Sequence, residues 1–129
     1  MSATRPLVLV ADDDADIVVL VRLGLERAGM EVAAAADGRA ALLLAQARTP
    51  DAAVLDVMMP RVDGLEVTRQ LRATAATATI PILILSAAVQ DAHVALARTA
   101  GADEHMAKPF SPRVLAQRVA ALLAQPGRR

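Results

Sequence analysis

Residues 52–60 read AAVLDVMMP and carry a single acidic residue, Asp56, near the end of an apolar run. A short apolar run without alternating polar residues is typical of a strand that is buried on both faces of a sheet. Pro60 prevents the strand from continuing, because proline lacks the amide hydrogen that strand pairing uses. Taken alone, such an aspartate is most often a turn or helix-capping residue. The role of Asp56 therefore depends on what the other strands place beside it.

Length and composition indicate one globular domain. The chain has 129 residues, of which 55% are hydrophobic, and its 14 basic and 14 acidic residues balance. This balance gives no electrostatic reason to expect nucleic acid or a membrane surface as a partner. The absence of cysteine excludes disulfides and thiolate sites. No signal peptide and no run near the roughly 20 apolar residues of a membrane span is present, so we expect a cytoplasmic protein.

Strand and helix patterns alternate five times along the chain. Strands are predicted at about 7–10, 31–35, 52–55, 82–85 and 104–107. Asp14 is expected to cap the first helix, and Ser111 with Pro112 to begin the last. The apolar residues of that last helix are expected to face inward, namely Val114, Leu115, Val119, Leu122 and Leu123. The alternation predicts an α/β fold with a parallel sheet covered by helices on both faces.

Polar side chains stand where four of these strands end. Asp12 and Asp13 follow the first strand, Asp56 ends the third, Ser86 ends the fourth and Lys108 follows the fifth. In open parallel sheets, ligands bind at the carboxyl ends of the strands. The sequence therefore predicts one cleft that contains three carboxylates, a hydroxyl and an ammonium.

This set of side chains favours phosphoryl chemistry. Closely packed carboxylates cannot all ionise cheaply, so a hard divalent cation such as Mg²⁺ is the natural counter-ion. Lys108 and Ser86 suit phosphoryl oxygens in the other half of the cleft. Asp56 lies between the two groups and is the best candidate for a carboxylate nucleophile.

Six short motifs stand in a fixed order: LVADDD at 9–14, LDVMMP at 55–60, DG at 63–64, LSA at 85–87, GADE at 101–104 and KPF at 108–110. In this order and spacing the chain resembles a response-regulator receiver domain of the CheY-like superfamily, which serves two-component signalling. The resemblance implies a flavodoxin-like, doubly wound sandwich of three layers with a five-stranded parallel sheet in the order 2-1-3-4-5. It places the receiver domain at about 5–125, with flexible ends at 1–4 and 126–129.

The resemblance also implies roles for the residues of the cleft. Asp56 would accept a phosphoryl group from a sensor histidine kinase or a histidine phosphotransfer protein. Asp13 and Asp56, with the backbone carbonyl of Met58, would bind Mg²⁺, and Asp12 would assist through water. Lys108 would contact the phosphoryl group and Asp56.

The resemblance further implies a switch that starts at Ser86. Its hydroxyl would move toward the phosphoryl oxygens and alter the face made by the fourth helix, fifth strand and fifth helix. That face would contact a downstream protein target or output domain, and a homodimer through it is possible. Such a protein is not an enzyme in the usual sense, since it promotes its own phosphorylation and slow autodephosphorylation.

Two features depart from the family pattern. The family usually has tyrosine or phenylalanine three residues before the lysine, and His105 stands there, either as the switch residue or as a surface histidine on an edge strand. Met58 and Ala88 occupy variable positions that tune the access of water, and neither side chain can act as a general base. We therefore expect a phosphorylated state that lasts minutes or longer.

Two other classes of function are alternatives to a receiver. A phosphatase of the haloacid-dehalogenase type would have a second aspartate two residues after its nucleophile, where this chain has Met58. A receiver that acts only as a phosphorylation-independent binding module would lack an acid or the lysine, and none is missing. For the dimer, Arg118 could pair with Glu104 as in dimerising subfamilies, but Val114 stands where those usually carry an acid.

Overall fold

Five strands alternate with five helices in a computed structural model, which describes residues 5–87 and 91–125, apart from the side chains of residues 91–94. The elements are β1 (Leu7–Ala11), α1 (Ala15–Arg27), β2 (Glu31–Ala35), α2 (Gly38–Arg48), β3 (Ala52–Asp56), α3 (Gly64–Ala73), β4 (Ile82–Ser86), α4 (Asp91–Ala100), β5 (Glu104–Ala107) and α5 (Pro112–Leu123). A short 3-10 turn at Ala75–Thr77 follows α3. The predicted chain ends and the variable position Ala88 lie outside the described residues.

All five strands are parallel and lie in the order β2-β1-β3-β4-β5, so the predicted fold class and strand order are confirmed. Every residue of β1, β3 and β4 is buried. This agrees with their unbroken apolar sequences, because a parallel sheet is covered by crossover helices on both of its faces. Among the described residues, no helix combines the length and the apolar character needed to cross a membrane.

Two apolar clusters hold the helices on the sheet. Alternate residues of β1 point to opposite faces, as the two-residue period of a strand requires. Leu9 therefore packs with the cluster that contains Val67 of α3. Val8 packs on the other face with Val21 of α1 and Leu115 of α5. Both clusters consist of aliphatic and methionine side chains, and Phe110 packs against the second.

Short polar side chains begin four of the helices. Asp14, Asp37 and Asp63 accept hydrogen bonds from backbone N–H groups in the first turns of α1, α2 and α3, and Ser111 does the same for α5. These caps satisfy amide hydrogens that have no partner within a helix. The predicted caps Asp14 and Ser111 are thereby confirmed.

The inward face predicted for α5 was partly wrong. Val114 is 40% exposed, whereas Leu115, Val119 and Leu122 are buried. Ala116, one position beyond Leu115, completes the buried stripe instead. The helical period of about 3.6 residues places a stripe defined by these residues away from Val114. In the strands, β1, β3 and β4 each extend one residue further than predicted.

Arg72 of α3 joins three segments at the end of the sheet opposite the acidic residues. Its Nε donates to the Gly101 carbonyl at 3.0 Å, and its guanidinium also donates to the Ile80 carbonyl at 2.6 Å. The guanidinium donates in addition to Asp103 at 2.8 Å, and Asp103 accepts the N–H of Ile82 at 2.8 Å. Gly101 has φ +112 and leaves room for the Arg72 side chain, which a Cβ would approach to 2.9 Å. This hub ties α3 to the beginnings of β4 and β5.

Replacing Arg72 by methionine is expected to lower the free energy of unfolding by about 2–4 kcal/mol, because several carbonyl groups and Asp103 lose a charged donor. Arg69→Met is the matched control on the same helix, since Arg69 is exposed and pairs only with Glu66 among the contacts described. It should cost less than about 1 kcal/mol. Urea unfolding measures both values. Equal losses of unfolding free energy in the two variants would show that the Arg72 contacts contribute no more than an exposed ion pair.

Candidate functional site

The carboxyl ends of the strands meet at one edge of the sheet. The register pairs Ala11 of β1 with Leu55 of β3, and Asp56 with Leu85 of β4. Ser86 pairs in turn with Ala107 of β5. The residues that follow or end these strands are therefore neighbours. The structure brings together the predicted set of Asp12, Asp13, Asp56, Ser86 and Lys108.

Three carboxylates form the centre of the site. One oxygen from each of Asp12, Asp13 and Asp56 lies within 4.8 Å of the other two. Asp12 is 1% exposed and Asp56 is 3% exposed. Asp13, by contrast, is exposed to solvent. The backbone N–H of Asp14 donates to Asp12 at 2.9 Å and fixes that carboxylate. Two buried acids and one exposed acid thus share a small volume.

Lys108 is a cation that contacts two members of this cluster. Its Nζ lies 3.0 Å from Asp12 Oδ2 and 3.4 Å from Asp56 Oδ1. The backbone N–H of Lys108 donates to the Ser86 carbonyl at 2.7 Å, which sets the position of the lysine. Burial lowers the pKa of Lys108, but the hydrogen bonds and charges of Asp12 and Asp56 outweigh burial and leave that pKa raised. The ammonium therefore stays charged at neutral pH.

One ammonium does not balance the acids around Asp56. Burial, followed by the negative charge of Asp12, raises the pKa of Asp56 to about 6. Lys108 and the backbone N–H of Met58 oppose this rise with smaller effects. A divalent cation would stabilise the ionised carboxylates, and an all-oxygen set of carboxylates open to water on one side suits Mg²⁺. The donor set therefore fits the predicted metal.

The β3–α3 loop, residues 57–63, returns the chain sharply past Asp56. The N–H of Val57 donates to the Leu85 carbonyl at 3.0 Å, which keeps the start of the loop on the sheet. A Cβ on Gly64 would overlap the carbonyl oxygen of Asp56, so only glycine allows α3 to begin so close to β3. The side chain of Met58 is 73% exposed, and its backbone N–H hydrogen-bonds to Asp56.

His105 lies on the edge strand β5, on the face of the sheet that α4 covers. It pairs with Ile84 and is half-buried. Together with Ala97 and Arg98 of α4 it lines a cavity of about 30 Å³. Its strand neighbour Met106 packs on the opposite face, with the α1 and α5 cluster. The position is thus on an edge strand but not fully exposed, and the switching role of His105 stays a prediction.

Sequence reasoning missed two contacts of the site region. Lys108 was expected to contact Asp56, yet Asp12 is the nearer carboxylate. Arg61 in the β3–α3 loop also pairs with Asp37 at 3.1 Å, which no motif indicated. Both contacts join residues far apart in the chain, so local patterns carried no signal for them. The predicted partners Arg118 and Glu104 do pair, at 3.2 Å, within this one chain.

Comparison with known proteins identifies the family to which the chain is similar. The model of the response regulator receiver domain matches residues 8–120. The alkaline phosphatase synthesis transcriptional regulatory protein PhoP of Bacillus subtilis is 46% identical over 90% of this chain and 48% of its own length. Response regulator MprA of Mycolicibacterium vanbaalenii is 47% identical over 90% of this chain and 49% of its own length. The DNA-binding dual master transcriptional regulator RpaA of Synechocystis is 41% identical over 95% of this chain and 51% of its own length. The chain spans about half the length of these relatives.

Two solved structures have the same fold over nearly the whole of this chain. Chemotaxis protein CheY4 of Vibrio cholerae superposes with a TM-score of 0.88 at 33% identity, covering 92% of this chain and 99% of that one. The receiver domain of a Francisella response regulator superposes with a TM-score of 0.84 at 35% identity, covering 92% and 97%. Fold and sequence therefore point to one family.

The raised pKa of Asp56 predicts a specific dependence of stability on pH in metal-free buffer. The carboxyl keeps its proton in the folded state up to about pH 6, whereas its ordinary pKa is 3.8. As the pH rises from 3.8 to about 6, the carboxyl ionises in the unfolded chain but not in the folded protein, so the free energy of unfolding falls across this window. Asp56→Asn should be more stable than the wild type above this window, by roughly 1–3 kcal/mol, and the difference should shrink toward the acid end.

Urea unfolding across this pH range, with a chelator present, measures the effect. Asp16→Asn is the control, because Asp16 is exposed. Its curve should run close to that of the wild type. Curves for wild type and Asp56→Asn that stay parallel throughout would contradict the raised pKa.

Proposed function

The chain belongs to the response regulator receiver domains, and we propose that it accepts a phosphoryl group on Asp56 from a sensor histidine kinase or a histidine phosphotransfer protein. The observation that carries this proposal is the position of Asp56. It is a buried carboxylate at the end of a central strand, 3.4 Å from Lys108 and within 4.8 Å of two other acids. A carboxylate held so rigidly beside a cation is suited to nucleophilic attack on phosphorus.

Each residue of the site has a proposed part in the transfer. A carboxylate oxygen of Asp56 forms the new bond to phosphorus while the bond between phosphorus and the donor nitrogen breaks. The Lys108 ammonium, now shared between Asp12 and Asp56, pairs with a phosphoryl oxygen. Ser86 is buried at the end of the neighbouring strand and donates its hydroxyl to another phosphoryl oxygen.

Mg²⁺ would be held by Asp13, Asp56 and the backbone carbonyl of Met58, with Asp12 assisting through water. When bound, it neutralises the charge that the carboxylates and the phosphoryl group bring together. Asp13 is the exposed member of the cluster and is the one that an incoming hydrated cation reaches first. The protein is thus a substrate that promotes its own phosphorylation rather than an enzyme with turnover on other molecules.

The output of the switch is proposed to run through α4, β5 and α5. Movement of Ser86 toward the phosphoryl group would reach His105, because β4 and β5 are adjacent and His105 borders α4. The recipient would be a downstream protein or an output domain, as the names of the transcriptional relatives suggest. This domain itself would bind no nucleic acid or membrane and would act in the cytoplasm. A homodimer through the same face would have to accommodate the Arg118–Glu104 pair that each chain forms internally.

Incubation with a small phosphodonor such as acetyl phosphate tests the proposal. We expect an adduct that depends on Mg²⁺, is stable in acid and labile in base, and adds one phosphoryl group by intact mass spectrometry. Asp56→Asn should abolish the adduct, while Asp16→Asn, as an exposed control, should leave it unchanged. Lys108→Met should reduce its yield by about tenfold or more, because a charged contact with the phosphoryl group is lost.

The decay of the adduct distinguishes the other functions. The side chain of Met58 cannot act as a general base. The adduct should therefore persist for minutes or longer after the donor is removed. Steady consumption of the donor would indicate a phosphatase. A complete lack of labelling would indicate a binding module, and labelling that survives Asp56→Asn would refute the assignment of Asp56.

A further inference from the structure

Arg61 adopts a backbone conformation that non-glycine residues rarely take. Its φ is +70, in the left-handed region, within the β3–α3 loop. The side chain is 69% exposed, yet its guanidinium lies 3.1 Å from Asp37 Oδ2, on the residue that precedes α2. The side chain of this residue thus contacts a segment outside its own loop.

Asp37 is a rigid partner for Arg61. Its Oδ1 accepts the N–H of Ala40 at 2.8 Å and caps α2. Its Oδ2 is left to accept from Arg61 at 3.1 Å. Because the helix cap already fixes the carboxylate, the ion pair holds the loop in a defined position relative to α2.

The backbone next to Arg61 is also held against α2. A Cβ on Gly38 would overlap the carbonyl oxygen of Val62, so the loop and the first turn of α2 are in direct contact. The N–H of Val62 donates to the Pro60 carbonyl at 2.9 Å and tightens the turn between them. The loop is therefore anchored on α2 at residues 61 and 62, and on the sheet at Val57.

Met58 lies between these two anchors. We propose that Arg61 and Asp37 form a positioning pair, which holds the β3–α3 loop so that the backbone carbonyl of Met58 is in place for the cation. This inference rests on the proposed function, in which that carbonyl is a ligand. Groups that orient a metal ligand contribute to affinity because the ligand then needs no further ordering when the metal binds.

Charge alone makes a different prediction for the two residues. Removing the positive charge of Arg61 would favour a nearby cation, whereas removing the negative charge of Asp37 would disfavour it. Loss of positioning weakens cation binding in both cases. A weaker affinity after neutralising Arg61 therefore has no electrostatic explanation.

Titration calorimetry of the full chain with Mg²⁺ tests the pair. Arg61→Asn suits the left-handed conformation and removes the ion pair, and Asp37→Asn keeps an oxygen that can cap α2. Each should raise the dissociation constant for Mg²⁺ by about three- to fivefold, which corresponds to the free energy of an exposed ion pair. The double variant should be no weaker than the worse single variant, and Arg61→Lys should stay within about twofold of the wild type.

Arg48→Asn is the matched control. Arg48 pairs with Glu31 at 2.6 Å near the opposite end of the sheet, so the variant removes the same charge and an ion pair of the same kind. It should leave Mg²⁺ affinity unchanged, and thermal unfolding should show that all variants are folded.

Unchanged or tighter Mg²⁺ binding by Arg61→Asn would overturn the pair's positioning role while leaving the proposed function intact. An equal loss in Arg48→Asn would overturn it as well, since the effect would then be general. A wild-type chain that takes up no Mg²⁺ would refute the metal site itself, and the positioning role with it.

Discussion

The close approach of three carboxylates, two of which contact the ammonium of Lys108, is the constraint on which the rest of the structure depends. Asp12 and Asp56 are buried, so water screens their charges poorly, and Lys108 can compensate only part of the repulsion. The site can relieve the remaining charge in two ways, by holding a proton on Asp56 or by binding a cation. Phosphorylation would replace this arrangement with another, because the phosphoryl oxygens compete for Lys108. The repulsion among these carboxylates would thus make the site responsive to a cation or a phosphoryl group.

The fold supports this cluster by keeping its base rigid. Asp56 ends a strand that is buried along its whole length and paired on both sides. The Arg72 hub fixes α3, β4 and β5 at the far end of the sheet, away from the carboxylates. Asp56 is thus held at the end of a rigid strand, whereas Asp12, Asp13 and Met58 lie in the loops that follow β1 and β3. The Arg61–Asp37 pair would hold the β3–α3 loop, which carries the proposed carbonyl ligand of Met58.

Much of this arrangement could be predicted from the sequence, because it depends on local patterns. Continuous apolar runs identified the buried strands, and the position of acids and of Lys108 just after them placed the cluster at one edge. Contacts between distant segments could not be predicted in this way. The residues next to Lys108 in the sequence do not show that Asp12 is its closer partner. Those next to Arg61 do not indicate that it pairs with Asp37. Val114 was misplaced because an apolar residue on a helix indicates burial only when the neighbouring stripe is known, and here Ala116 completes that stripe.

The most direct test of the carboxylate cluster is the effect of Mg²⁺ on the stability of the folded protein at neutral pH. The cation should raise the free energy of unfolding of the wild type by about 1–2 kcal/mol at a concentration of about 10 mM, because it binds only the folded arrangement. Asp13→Asn removes the exposed carboxylate without disturbing the buried ones, and Mg²⁺ should stabilise this variant far less. Equal stabilisation of the two proteins, or none in the wild type, would contradict the view that the three carboxylates form a cation site.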